Sequence, residues 1–170
     1  MTSNASQEHK SQAPGSVGCL VITCSDTRTP DTDTSGRLIM QMLKDAGHTV
    51  VAYYIVKDEP GQILFRIGQG CCNNGVQAII LNGGTGISQR DSTFEAVDKM
   101  LEKRLTGFGE LFRYLTFQEI GSAAIMSRAT AGIVKSRVVF SIPGSEHAVH
   151  LAMNRLILPE LGHLVQQLSK

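Results

Sequence analysis

Residues 76–95, VQAIILNGGTGISQRDSTFE, constrain this chain more than any other stretch. The apolar run Ala78-Ile79-Ile80-Leu81 passes at once into Gly83-Gly84-Thr85-Gly86 and then into a helix start. That order predicts a buried strand feeding a glycine turn. Glycines let backbone N–H groups face a ligand with no Cβ in the way, and the N-terminus of the next helix adds unpaired donors and a favourable dipole. The stretch therefore predicts an anion site, with phosphate the usual guest. A side chain at Gly84 is expected to obstruct that guest while the fold survives.

Ser92 and Glu95 stand at capping-box spacing, so each is expected to satisfy a backbone N–H near the other. Asp91 is then uncommitted. A carboxylate beside a phosphate turn is unfavourable unless a cation lies between them, and Mg²⁺ characteristically takes one or two carboxylates plus substrate phosphates. The alternative is that Asp91 is itself the helix cap, since Asp caps as well as Ser. The P-loop pattern GxxxxGK[ST] and the dinucleotide spacing GxGxxG are both absent here.

At 170 residues with 42% hydrophobic content the chain can fill one core, and no break in composition marks a second domain. The net charge of +1, with no Lys/Arg cluster, argues against nucleic-acid or membrane-surface partners, which need a concentrated positive field. Residues 1–15 are polar and read as a disordered tail without a signal or transit pattern, leaving residues 16–170 as a single cytoplasmic domain. Cys19, Cys24, Cys71 and Cys72 form no CxxC pair and read as reduced, buried thiols rather than metal ligands.

Residues 17–23, VGCLVIT, predict a first strand, followed by a polar loop over 24–36 containing Ser25, Asp26, Asp33, Ser35 and Gly36. Turn and cap chemistry alone accounts for such residues. Leu38, Ile39, Met42 and Leu43 give a helix closed by Gly47; residues 49–56 give a second strand. Pro60 suits the first turn of the next helix, with an acid ahead of it as cap. The resulting βαβαβα order implies parallel right-handed crossovers. In such sheets ligands collect outside the C-terminal strand ends, which brings Asp26, Asp58 and the segment from Gly83 to Asp91 onto one rim.

Farther on, Phe108, Phe112, Tyr114 and Phe117 either fill the core or cover a subunit contact. Arg128 reads either as a phosphate ligand or as a solvated side chain. Residues 136–142 predict a strand ending in Pro143-Gly144-Ser145, a second candidate anion turn. Pro159 is expected to kink or restart the last helix. His147, His150 and His163 lack further ligands at metal spacing and read as solvated.

The string GGTGISQRDSTFEAV, running from a GGTG turn through an Arg-Asp pair into a Thr-x-Glu-Ala helix start, resembles the MoaB/Mog family of molybdenum cofactor biosynthesis proteins. The resemblance extends over nearly the whole chain from about residue 17. It includes the Ser-Asp after the first strand, the Asp-x-Ser-Gly at the first helix, the Ser127-Arg128-Ala129 segment and the Pro143-Gly144-Ser145 turn, and it is nearer the MoaB branch. It implies a three-layer α/β/α domain with a mostly parallel sheet that binds molybdopterin. In catalytic members, it implies use of Mg-ATP to adenylylate molybdopterin with release of pyrophosphate. It assigns Asp58 and Asp91 as the functionally important acids and metal holders. Thr23, Ser25, Asp26, Gly83, Gly84, Thr85, Gly86, Arg90, Ser127, Arg128, Pro143, Gly144 and Ser145 become substrate or nucleotide contacts, and the assembly a homo-oligomer, trimer or hexamer. Two alternatives are a non-catalytic molybdopterin-binding protein and a generic nucleotide or flavodoxin-like module; the second explains neither acid.

Overall fold

The computed structural model describes residues 14–169. Apart from Pro14 and Gly15, the expected tail lies outside the described residues. Six strands form one sheet: β1 (Gly18–Cys24), β2 (Thr49–Val56), β3 (Ala78–Asn82), β4 (Lys103–Arg104), β5 (Thr130–Val134) and β6 (Arg137–Ile142), in the order β2-β1-β3-β6-β5-β4. The first four in that order are parallel, and β5 alone runs against its neighbours. The helices are α1 (Thr34–Asp45), α2 (Pro60–Cys72), α3 (Thr93–Met100), α4 (Thr106–Ile120), α5 (Glu146–Ala152) and α6 (Leu158–Leu168).

Alternation along the central strands explains the layering. Cys19 and Val21 of β1 and Ala78 and Ile80 of β3 join one core with Ile39, Leu43, Phe108, Phe112 and Val149. Leu20, Ile22, Ile79 and Leu81 join the other with Ile63, Ile67 and Val97. Helices α1, α4, α5 and α6 thus cover one face and α2 and α3 the other, which is why Ala78 to Leu81 of β3 are apolar on both faces. Truncating Ile80, which is fully buried, to Ala would cost about 2–5 kcal/mol.

The expected βαβαβα order and parallel crossovers hold. The hairpin that adds β5 and extends the sheet to β4 departs from the sequence reading. Its two-residue turn is Lys135-Ser136, both at positive φ (44° and 59°), a geometry that Asn-Gly ordinarily signals. Residues 153–157 form one π-helical turn between α5 and α6, so the helix is offset there, with Pro159 seated in the first turn of α6. Glu59 precedes Pro60 as expected but makes no cap; its carboxylate accepts from Gln62 Nε2 at 2.8 Å. Of the four thiols, Cys72 is exposed, against expectation, because it ends α2 on the outer side. Among the described residues no helix is long and apolar enough to cross a membrane.

Candidate functional site

The C-terminal ends of β1, β3 and β6 deliver three loops to one rim, and between them opens a cleft of about 450 Å³. Its polar side is built from Thr23 near the end of β1, Ser25 and Asp33 after it, Gly83 to Gly86 and Asp91 after β3, and Pro143 to Ser145 after β6. The opposite wall is apolar. Phe112, Thr116 and Ile120 stand one above another at i, i+4 and i+8 on α4, and Ala123 and Met126 continue the wall from the 3₁₀ segment Gly121–Met126.

Two turns are packed against each other at the base. Gly83 (φ 98°) donates its N–H to Ile142 O at 3.0 Å, and a Cβ on it would stand 2.2 Å from Cys24 O. A Cβ on Gly144 would in turn come within 3.0 Å of Gly83 Cα. Beneath them Asn82 Nδ2 donates to Thr23 Oγ1 at 2.9 Å, and Ser35 Oγ donates to Gly144 O at 2.7 Å. Asp33 is buried, accepts from Gly36 N at 2.9 Å as the cap of α1, and takes the Tyr53 hydroxyl on its other oxygen. That contact and burial raise the Tyr53 pKa, burial being the larger cause. Ser145 caps α5 by accepting from Ala148 N at 3.2 Å.

The glycine turn differs from expectation in three respects. Ser92 and Glu95 form no capping box. Ser92 N, Ser92 Oγ and Thr93 Oγ1 instead all donate to Asp58 Oδ1, at 3.1, 3.0 and 3.0 Å, so the cap of α3 arrives from the loop after β2. Asp91 Oδ2 accepts from Ser88 N at 3.1 Å and Ser88 Oγ at 2.5 Å, closing the turn before α3. Both acids thus have structural duties that their neighbours do not take over. Finally, Gly84 (φ 62°) directs its Cβ position away from the ligand side, 2.1 Å from Thr93 Oγ1 and 2.3 Å from Asp58 Oδ2. A side chain there would strike the cap of α3 rather than a guest in the cleft.

Of the predicted contacts, Asp58, Asp26, Arg90 and Arg128 do not line the cleft. Asp26 and Arg90 pair with each other at 2.5 Å, and the Arg90 hydrogen bond holds the Asp26 carboxyl below its ordinary pKa. Arg128 bonds the carbonyls of Thr85 and Gly86 and the Glu95 carboxylate; it is partly exposed, held by these partners, and does not line the cleft. Ser127 Oγ, buried in the cleft wall, finds no hydrogen-bond partner among the described residues. Cys24 lines the cleft, but burial pushes its thiol up to about 12.

Sequence reasoning missed Arg28, which lines the cleft and donates to Thr32 O at 2.6 Å, and His147, which pairs with Glu119 at 2.9 Å on the rim. It also missed the apolar wall. The Phe112-Thr116-Ile120 spacing was visible, but only the topology shows what it faces.

No group of three or more His, Cys, Asp or Glu that could hold a metal exists among the described residues. Mg²⁺ does not require one, because it keeps several waters and takes phosphate oxygens from its substrate. Asp91 suits that use: it lines the cleft, and its Oδ1 accepts no hydrogen bond among the described residues. Asp58 suits it less, with one oxygen committed to three donors.

The family described as "Probable molybdopterin binding domain" matches residues 20–163. Molybdenum cofactor biosynthesis protein B of Bacillus subtilis is 54% identical over 165 residues, covering 96% of this chain and 97% of that protein. The Staphylococcus carnosus protein of that name is 48% identical over 157 residues, with 91% and 92% covered. Among solved structures, a molybdenum cofactor biosynthesis protein B superposes with TM-score 0.90 at 52% identity, covering 93% of this chain and 99% of the other. The tungsten cofactor synthesizing protein MoaB of Pyrococcus furiosus gives 0.83 at 35%, covering 93% and 100%. With the three-layer fold, the cleft at the strand ends and these likenesses in hand, the chain belongs to the molybdopterin-binding MoaB/Mog family of molybdenum cofactor biosynthesis proteins, on its MoaB branch.

Proposed function

We propose that the cleft binds molybdopterin and that the protein joins AMP from ATP to the terminal phosphate of molybdopterin, releasing pyrophosphate. The observation that carries this reading is the two-sided cleft of about 450 Å³, lined by a glycine turn and by the apolar residues Phe112, Ile120, Ala123 and Met126. In the reaction a phosphate oxygen of molybdopterin attacks the α-phosphorus of ATP, and the bond to the pyrophosphate leaving group breaks. Two anions must approach, so positioning and charge neutralisation supply most of the catalysis. The turn's N–H groups and Arg28 would neutralise and orient phosphate, and Asp91 would hold Mg²⁺; Asp58, behind the turn, would act through the start of α3. When bound, that ion offsets the charge of the phosphates.

Exposed Leu111, Tyr114, Phe117 and Ile125 on α4 and the 3₁₀ segment, none of them lining the cleft, support assembly as a homo-oligomer, for which the family resemblance suggests a trimer or hexamer. A second reading, a protein that binds molybdopterin without chemistry, is favoured by the commitment of Asp58 to the cap of α3. Incubation with molybdopterin, ATP and Mg²⁺, followed by mass analysis, separates the two. The adenylylated product with release of pyrophosphate is expected; bound but unmodified molybdopterin would establish the second reading.

A further inference from the structure

Three consecutive carbonyls of the glycine turn are each held by a donor. Gly84 O accepts from Thr93 N at 3.1 Å, Thr85 O from Arg128 Nε at 3.0 Å, and Gly86 O from Arg128 Nη2. The N–H groups of Gly84, Thr85 and Gly86 find no acceptor among the described residues. Consecutive N–H groups without acceptors are the donors from which concave anion sites are built. The guanidinium is fixed in its turn: Nη1 pairs with Glu95 Oε1, Nη2 reaches Glu95 Oε2 at 3.4 Å, and Cζ lies 5.0 Å over the Phe94 ring. Two carbonyls, a carboxylate and an aromatic face make a planar-fork site that lysine, with its single point of donation, cannot reproduce.

We propose that Arg128 is a positioning residue, holding the Thr85 and Gly86 carbonyls outward so that the turn presents three unpaired N–H groups to the terminal phosphate of molybdopterin, with Glu95 and Phe94 as its buttress. This rests on the molybdopterin reading above. It differs from a direct phosphate contact by Arg128, for which charge alone would matter.

The test compares wild type, Arg128→Lys, Arg128→Met and Glu95→Gln in two measurements. The first needs no ligand: ¹⁵N relaxation of the Gly84, Thr85 and Gly86 amides in the free protein. Their order parameters should fall in both Arg128 variants and less in Glu95→Gln, while those of β3 hold. The second is calorimetric titration with molybdopterin, where a misplaced turn should weaken binding roughly ten- to a hundredfold, as small displacements of positioning groups do. Arg128→Lys should fare no better than Arg128→Met. Wild-type order parameters in both Arg128 variants would overturn the proposal, as would Arg128→Lys binding like wild type while Arg128→Met does not. If wild type itself failed to bind molybdopterin, the proposed function would fall. Rigid wild-type turn amides that loosen in Arg128→Lys would then still establish the clamp, and unchanged amides would refute it.

Discussion

Replacing Asp58 tests whether α3 is capped from the loop after β2. Asp58 Oδ1 accepts from Ser92 N, Ser92 Oγ and Thr93 Oγ1, and Thr93 is fully buried. Asp58→Ala removes a side-chain cap, costing about 0.5–2 kcal/mol. It also leaves the buried Thr93 hydroxyl without its acceptor, for about 1–3 kcal/mol more. A sum near 3 kcal/mol in a domain of this size lowers the melting temperature by roughly 6–12 °C, at about 2–4 °C per kcal/mol. Asp58→Asn keeps an acceptor oxygen at the same position and gives up the favourable charge at the helix N-terminus, about 0.3–1 kcal/mol, or at most about 4 °C. Thermal unfolding followed by circular dichroism reads both. Loss of adenylyl transfer in a well-folded Asp58→Asn would then report on the charge and not on a collapsed loop. Equal melting temperatures for Asp58→Ala and wild type would refute the cap, and an Asn variant as unstable as the Ala variant would show that the acceptor oxygen is not what matters.

Three further outcomes follow from the same geometry. Gly84→Val should lose stability as well as ligand, because its side chain meets Thr93 and Asp58 at a positive φ; a variant that melts with wild type would contradict the close contacts. Native protein treated with a maleimide near neutral pH should gain one adduct, at exposed Cys72, since burial raises the other three thiols and pushes Cys19 and Cys24 up to about 12; four adducts before unfolding would refute their burial. The Arg128 hydrogen bond lowers the Glu95 pKa from its ordinary 4.5, so the stabilisation is whole above that pH and is lost as pH falls through the lowered value. Glu95→Gln should therefore flatten the acid limb of stability against pH, and an unchanged limb would count against the pair.

The strand β3 and its turn were legible because their signal is local: an apolar run ending in glycines. The rim was legible from the parallel crossovers, which fix where the loops after β1, β2 and β3 must meet. The roles of Asp58 and Arg128 were not, because their partners lie 33 to 43 residues away in the chain. Ser92 and Glu95 show the physical reason. Their spacing favours a capping box, but Asp58 takes the Ser92 N–H that the box would give to Glu95, and Arg128 takes the Glu95 carboxylate. Strand β5 escaped because Lys135-Ser136 takes a left-handed turn without the residues that announce it.

The proposal that molybdopterin occupies the cleft between the glycine turn and the wall of α4 can be tested at Ala123. Ala123 is exposed on that wall, and Ala123→Trp would fill the space a ring system needs without touching the core. Calorimetric titration of molybdopterin into wild type and Ala123→Trp, with melting temperature and assembly mass checked for both, measures this directly. Saturable binding to wild type and a loss of at least about tenfold in the variant, on the order of 1.4 kcal/mol, are expected. Equal affinity in the two proteins would place molybdopterin outside this cleft and refute the proposed site.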